Sequence, residues 1–155
     1  MSVGDHSAIN KSRPVPFPDG TPQLRSPFVT AWLLGEARVR ILLVEDDDLV
    51  REVTAEMLEE AGYDVLTAAS APNAERLAEK AIIDILITDI VMPGGNGVDL
   101  ARRLTLRRGG MKTLFTTGYT RHIAPELAGA AILDKPYHRD ALLHAIGRLI
   151  GFETA

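Results

Sequence analysis

The stretch LLVEDDDLV, residues 42–50, places four carboxylates in a row directly after apolar residues. The apolar run extends back to Val39, and a continuous run of this length is typical of a parallel strand that is buried on both faces. After the acidic run, toward the C-terminus, apolar side chains recur at the three- and four-residue spacing of an amphipathic helix. These positions are Val50, Val53, Met57 and Ala61. Gly62 suits the C-terminal end of that helix, so the sequence predicts a strand followed by a helix, with the carboxylates between them.

The same unit of strand and helix recurs along the chain. The further predicted strands are 64–68, 83–89, 112–116 and 131–133. The helices predicted after them are 71–81, 98–108, a short helix near Pro125, and a last helix carrying Leu142, Ile146, Leu149 and Ile150. Five such units predict an α/β fold, a doubly wound parallel sheet with helices on both faces and the strand order 2-1-3-4-5.

Residues 1–37 differ in composition from the rest of the chain. Five of the nine prolines fall between Pro14 and Pro27, and proline fixes φ and removes a backbone donor. We expect a Pro-rich, flexible N-terminal extension over 1–37 and one domain over 38–152, because 155 residues suffice for one domain with a core and hardly for two. The apolar run of the extension, residues 28–34, is too short to cross a bilayer.

The formal net charge of −4 and the absence of cysteine restrict the classes of function. A mildly acidic surface has no general attraction for nucleic acid or for an anionic membrane. Without cysteine the chain forms no disulfide, thiolate metal site or cysteine nucleophile, which fits a reducing compartment. We therefore expect a cytoplasmic protein that binds neither nucleic acid nor membrane and acts through a local site.

Polar side chains stand at the predicted carboxyl ends of several strands. Ligands bind outside these ends in open parallel sheets, at the point where the strand order reverses. Glu45 and Asp46 follow the first strand, Asp89 ends the third, Thr117 follows the fourth and Lys135 the fifth. Carboxylates held close together resist ionisation unless a cation compensates them. Magnesium prefers such oxygen ligands, together with water and phosphate, so a Mg²⁺ site is predicted at this edge.

Four motifs resemble those of the receiver domains of bacterial two-component response regulators, including stand-alone forms of the chemotaxis-regulator type. They are ILLVEDDDLVREV (41–53), ILITDIVMPGGNGVDLARRL (85–104), TLFTTGY (113–119) and ILDKPYHRDALLHAI (132–146). The resemblance runs from about Arg38 to Ile150 and holds for the order and the spacing of the motifs. It implies a flavodoxin-like (βα)5 fold.

The resemblance also implies a role for each polar residue at the predicted edge. Asp89 would accept a phosphoryl group from a sensor histidine kinase or a histidine phosphotransfer protein. The implied Mg²⁺ ligands are Asp46, Asp89 and the backbone carbonyl of Val91, with Glu45 contributing through a water molecule. Lys135 would neutralise a phosphoryl oxygen, and Thr117 would supply the switch hydroxyl. By contrast, Asp47 and Asp48 are interpreted as residues that cap the following helix.

The residues around the switch depart from the common pattern of the family. An aromatic residue usually stands three positions before the lysine, and this chain has Ile132 there. Coupling through Tyr119 or Tyr137 is one interpretation. The other is that a bulky residue near the pocket only restricts water and slows hydrolysis. The accessory residues predicted for the switch are Gly118, Tyr119, Ile132, Pro136 and Tyr137. In this family the peptide bond between the lysine and the proline is commonly cis.

The predicted output is a contact with another protein, because the sequence ends five residues after Ile150 and leaves no room for an effector domain. We expect phosphorylation to shift a two-state equilibrium in the face formed by the fourth helix, fifth strand and fifth helix, and so to change the affinity for a downstream protein. The alternative is a phosphate sink or relay, in which Asp89 only exchanges phosphoryl groups with histidines. The sequence is compatible with both.

Two interpretations from other classes of protein stay open. Asp46, Asp48 and Val50 match the Asp-x-Asp-x-Thr/Val pattern of haloacid-dehalogenase-like phosphatases, which would make Asp46 the nucleophile of a turnover enzyme. That family's later acidic motif is missing here, and Asp89 would have no role. The other interpretation is a receiver fold that binds partners without being phosphorylated. We expect a phosphoacceptor that catalyses only its own phosphorylation and dephosphorylation, not an enzyme.

Overall fold

Each strand of the main sheet lies within, or within one residue of, a predicted apolar segment. The computed structural model describes residues 38–118 and 127–150. Its five main strands are β1 (Arg40–Val44), β2 (Asp64–Ala68), β3 (Ile85–Asp89), β4 (Lys112–Thr117) and β5 (Ala131–Asp134). All neighbouring pairs are parallel and the order is β2-β1-β3-β4-β5, which confirms the predicted doubly wound, flavodoxin-like sheet.

Three of the four described helices follow a residue whose side chain caps a free backbone amide. The described helices are α1 (Asp48–Glu60), α2 (Ala71–Lys80), α3 (Gly97–Arg107) and α4 (Arg139–Leu149). Asp47 accepts a hydrogen bond from the amide of Val50 at 3.0 Å, so its predicted role as a cap is confirmed. The short helix predicted near Pro125 lies outside the described residues. Among residues 38–118 and 127–150, every helix is too short or too polar to cross a membrane.

A short antiparallel ribbon follows β3, where no strand is predicted. It pairs Val91–Met92 with Gly95–Asn96. Gly94 turns the chain between them with a φ of 73°, in the left-handed region that glycine enters without a steric penalty. The ribbon leads directly from Asp89 to the first residue of α3.

The two faces of the sheet carry separate cores. Side chains alternate along β1, so that Ile41 and Leu43 enter one core and Leu42 and Val44 enter the other. Into the first core the helices contribute Leu58, Leu142, Leu143 and Ile146, and into the second Ala74, Leu100, Ala101 and Leu104. Burial on both faces explains why the strand sequence is apolar at successive positions.

The buried face of α1 differs from the predicted stripe. Val53 lies in that stripe, yet it is 40% exposed, whereas Thr54 and Leu58 are buried. The helix is turned so that the Thr54–Leu58 side faces the sheet, and the apolar Val53 stands at its outer edge. The apolar spacing predicted the helix correctly but placed Val53 on its buried side, which is wrong. The reason is that a threonine, Thr54, occupies one of the buried positions.

The start of α3 packs against the backbone at the end of β3. Gly97 donates its amide hydrogen to the carbonyl oxygen of Ile90 at 2.9 Å. A Cβ atom at Gly97 would lie 2.0 Å from the carbonyl oxygen of Asp89 and 3.0 Å from the hydroxyl oxygen of Thr88. Only glycine fits this contact, which fixes the distance between α3 and the last residue of β3.

Replacing Gly97 by alanine should lower the free energy of unfolding by about 1–3 kcal/mol, because the new methyl group can be accommodated only by moving backbone. Urea denaturation measures this change. Gly109→Ala is the matched control, since a Cβ at Gly109 meets no atom within 4 Å. Its unfolding free energy should stay within about 0.5 kcal/mol of the parent. Equal effects of the two substitutions would contradict the steric argument.

Candidate functional site

The loop after β1 is fixed by hydrogen bonds from three directions. The amide of Glu45 donates to the carbonyl oxygen of Ala68 at 3.1 Å, and the amide of Asp47 donates to the Glu45 carboxylate at 3.2 Å. Arg51 donates from Nη1 to the carbonyl oxygen of Glu45 at 2.8 Å and from Nη2 to Asp48 at 2.6 Å. Glu45 is therefore buried with a defined orientation, 3% exposed, although it carries a carboxylate.

Asp89 is the last residue of β3, and its backbone is held on both sides. The amide of Ile90 donates to the carbonyl oxygen of Thr116 at 3.1 Å, and the Thr88 hydroxyl donates to the carbonyl oxygen of Asp89 at 3.0 Å. Gly97 closes the remaining side. The Asp89 side chain is 14% exposed, so it faces the edge of the sheet with limited access to solvent.

Lys135 connects the two carboxylates. Its Nζ atom lies 2.8 Å from Oδ2 of Asp89 and 2.5 Å from Oε2 of Glu45. Its backbone amide donates to the carbonyl oxygen of Thr117 at 2.8 Å, and the bond between Lys135 and Pro136 is cis, as the resemblance implied. Charge-assisted hydrogen bonds of this length are about twice as strong as neutral ones, so the three strand ends are joined at one point.

Three carboxylates at this edge are close enough to share a cation. One oxygen atom each from Glu45, Asp46 and Asp89 lies within 4.8 Å of the others. The donor set is composed of hard carboxylate oxygens and Asp46 is exposed, which suits an ion that keeps several waters. The three predicted carboxylate ligands fit Mg²⁺ in kind. Val91 lies in the ribbon two residues after Asp89, and a metal contact by its carbonyl stays a prediction.

The ionisation of the site reflects burial and pairing. Burial raises the pKa of Glu45, and the hydrogen bonds from Lys135 and from the amide of Asp47 offset this only in part. Burial lowers the pKa of Lys135, but its hydrogen bonds to Asp89 and Glu45 and their negative charges outweigh burial and raise it. The ammonium group is thus held charged among carboxylates whose negative charge it does not fully balance, and a bound dication would restore the balance.

The predicted switch residues occupy different surroundings. Thr117 is buried at the end of β4, and Gly118 follows it with no atom within 4 Å of an added Cβ, in keeping with the space predicted there. Ile132 is half-buried in β5 beside Phe115. The hydroxyl oxygen of Tyr137 lies 3.0 Å from Oγ1 of Thr54. Tyr119 lies outside the described residues, so its predicted role is not addressed by the fold.

Three residues of the site were not identified from the sequence. Arg51 stands three positions after Asp48, a spacing at which oppositely charged residues pair on a helix, and this pattern could have indicated it. Gly97 follows Asn96, whose side chain caps α3, so a cap followed by glycine was a weaker signal. Thr54 gives no sequence signal, because its contact with Tyr137 joins residues 83 positions apart.

Replacing Glu45 by glutamine should raise the free energy of unfolding of the metal-free protein at neutral pH. The pKa of Glu45 in the folded chain lies above its ordinary value of 4.5, so the unfolded chain ionises first as pH rises. The free energy of unfolding therefore falls as the pH rises from 4.5 to the raised pKa, and it stays at the lower value at higher pH. Glutamine stays neutral, so the variant should not show this loss.

Urea denaturation in EDTA, from acid to neutral pH, measures the effect of the Glu45→Gln substitution. Glu52→Gln is the control, because it removes a carboxylate that is exposed on α1, and its unfolding free energy should stay within about 0.5 kcal/mol of the parent. A Glu45→Gln variant that loses stability toward neutral pH as steeply as the parent would refute the cost assigned to the buried carboxylate.

Comparison with known proteins agrees with this geometry. The family model described as response regulator receiver domain matches residues 41–147. The response regulator receiver protein CpdR of Brucella abortus (strain 2308) is 38% identical over 116 residues, which cover 72% of this chain and 96% of CpdR. The crystal structure of the Vibrio cholerae chemotaxis protein CheY4 has a TM-score of 0.66 at 27% identity and covers 73% of this chain and 99% of CheY4.

The receiver domain of the hybrid histidine kinase CckA has a TM-score of 0.63 at 35% identity, over 72% of this chain and 98% of that domain. The family model alone covers more than half of the chain. The strand order agrees with these matches. The chain belongs to the family of response regulator receiver domains of two-component systems.

Proposed function

We propose that this receiver domain accepts a phosphoryl group on Asp89 from a sensor histidine kinase or a histidine phosphotransfer protein. The observation that carries the proposal is the position of the Lys135 ammonium group, in contact with both Asp89 and Glu45. A carboxylate oxygen of Asp89 attacks phosphorus, the N–P bond to the donor histidine breaks, and the imidazole leaves with the bonding electron pair. The product is an acyl phosphate on Asp89.

The chain supplies alignment and charge for this step. Lys135 lies where it can pair with a phosphoryl oxygen once the phosphoryl group is on Asp89, and such transfer depends mainly on positioning and on neutralising the equatorial oxygens. Mg²⁺, when bound, polarises the phosphoryl oxygens and neutralises their developing charge. Glu45, Asp46 and Asp89 would hold the ion, together with the carbonyl of Val91. The domain would catalyse its own phosphorylation and dephosphorylation and no turnover of a separate substrate.

The proposed output is a change in affinity for another protein. Thr117 would hydrogen-bond the phosphoryl group on Asp89, with Gly118 leaving room for that movement. The predicted output face contains β5 and α4, together with the helix predicted near Pro125, a position outside the described residues. CpdR, itself named a response regulator receiver protein, is spanned almost completely by this chain. A phosphate sink or relay, in which Asp89 only exchanges phosphoryl groups with histidines, remains the alternative.

We further propose that the protein is cytoplasmic and that neither nucleic acid nor a membrane is its partner.

The geometry favours Asp89 over Asp46 as the nucleophile. Lys135 contacts Asp89 directly, whereas Asp46 is exposed and belongs to the carboxylate cluster alone. A phosphatase with Asp46 as nucleophile would leave the lysine beside the wrong carboxylate. A binding module that is never phosphorylated would have no use for a buried glutamate paired with this lysine, since such a pair costs desolvation energy.

Incubating the protein with acetyl phosphate and Mg²⁺ should add one phosphoryl group to the parent and none to Asp89→Asn, because the amide is not a nucleophile. Intact-mass spectrometry measures the gain. Asp140→Asn is the control, since Asp140 is an exposed carboxylate in the first turn of α4, and it should be modified like the parent. A phosphoryl group that persists in Asp89→Asn but disappears in Asp46→Asn would favour the phosphatase interpretation.

If the domain is a switch, a phosphoryl mimic such as beryllofluoride at Asp89 should change its affinity for a partner protein by about fivefold or more, the usual range of coupling between two sites. Candidate kinases and phosphotransfer proteins can be titrated against the domain by calorimetry with and without the mimic. Asp89→Asn should not respond to the mimic. Affinity that is the same in both states for every partner would favour the sink or relay.

A further inference from the structure

A hydroxyl pair joins α1 to the segment that carries the site lysine. The hydroxyl oxygen of Tyr137 and Oγ1 of Thr54 are 3.0 Å apart. Thr54 is 2% exposed on the buried side of α1, and Tyr137 is partly buried against the first core. Burial raises the pKa of Tyr137, so its hydroxyl stays protonated at neutral pH. The pair is therefore a neutral, partly buried hydrogen bond, and a buried hydroxyl such as that of Thr54 is costly to leave without a partner.

This hydrogen bond holds one end of a three-residue segment. The other end is held by the amide of Lys135, which donates to the carbonyl oxygen of Thr117 at 2.8 Å. The lysine side chain is a flexible four-carbon stem, and the position of its ammonium group depends on where its backbone starts. With both ends of 135–137 anchored, one to β4 and one to α1, Nζ lies within hydrogen-bond distance of Asp89 and Glu45 together.

We propose that the hydrogen bond between Tyr137 and Thr54 positions Lys135 for phosphoryl transfer to Asp89. The inference rests on the proposed function and adds two positioning residues to it. The two hydroxyl groups bond to each other, whereas the Asp89 carboxylate bonds to Lys135, so both residues act through the lysine. A phenylalanine at position 137 would fill the same space in the first core without this bond, so the tyrosine hydroxyl has a function separate from packing.

The test compares phosphorylation rates in the full 155-residue chain. Tyr137→Phe and Thr54→Val each remove one hydroxyl and keep the shape of the side chain. Each should lower the maximal rate of phosphorylation by acetyl phosphate about fivefold, as expected for the loss of one hydrogen bond. The Mg²⁺ concentration at half-maximal rate should not rise, because Glu45, Asp46 and Asp89 are kept and a displaced ammonium group repels the ion less. Intact mass against time gives the rate, and a Mg²⁺ titration gives the half-maximal concentration.

The double variant separates positioning from stability. Each single variant leaves a hydroxyl without its partner, whereas Tyr137→Phe combined with Thr54→Val leaves none, so its urea midpoint should return toward that of the parent. Its phosphorylation should remain as slow as that of the single variants. A double variant that regains both the stability and the rate of the parent would overturn the proposal, since the slow rate would then come from an unpaired buried hydroxyl.

A lysine-free background tests whether the effect passes through Lys135. In Lys135→Ala, adding Tyr137→Phe should cause no further fall in the residual rate, because the group that it positions is gone. A further fivefold fall would overturn the proposal. Tyr137→Phe with the rate of the parent would also overturn it and leave the proposed function intact. Absence of any phosphorylation of the parent protein would instead overturn the proposed function, and this inference with it.

Discussion

The contact of one ammonium group with two carboxylates is the constraint on which the site depends. Lys135 lies 2.5 Å from Glu45 and 2.8 Å from Asp89, and Glu45 is almost fully buried. Removing a carboxylate from water costs several kcal/mol unless a charge or hydrogen bonds compensate it. Without the lysine, the loops after β1 and β3 would bring like charges together at one edge. The lysine makes this arrangement tolerable, and the incomplete balance of charge leaves the edge suited to a dication.

The backbone, more than the side chains, sets the geometry of this contact. Parallel pairing in register brings the carboxyl ends of β1, β3 and β5 to the same edge, although the residues concerned lie as much as 90 positions apart. Each end is then fixed locally: Glu45 by Arg51, Asp89 by the close approach of Gly97, and Lys135 by the carbonyl of Thr117. Groups held in this way need little rearrangement when charge develops on a transferred group, which is how preorganised sites lower a barrier.

The sequence predicted what depends on period and on strand ends, and missed what depends on tertiary contact. Strands buried on both faces are continuous apolar runs, so the strands and the residues at their ends followed, including Glu45 and Lys135, whereas the strand order came from the fold class. The exposed side of α1 was assigned wrongly at Val53, because one buried position is taken by a threonine. The ribbon after Asp89 was missed, since strands of two residues carry no period. The closeness of Gly97 to Asp89 depends on how α3 docks, which no local pattern encodes.

Ile132 and Tyr137 lie on opposite sides of the sheet, and this limits how the receiver domain can transmit a signal. Ile132, at the position where the family usually has an aromatic residue, packs against the second core, with α2 and α3. Tyr137 packs against the first core and bonds to α1. The tyrosine therefore cannot take over the movement of a ring at position 132, because the sheet lies between the two places. Coupling carried by Tyr137 would instead link the position of Lys135 to α1, on the side of the first core.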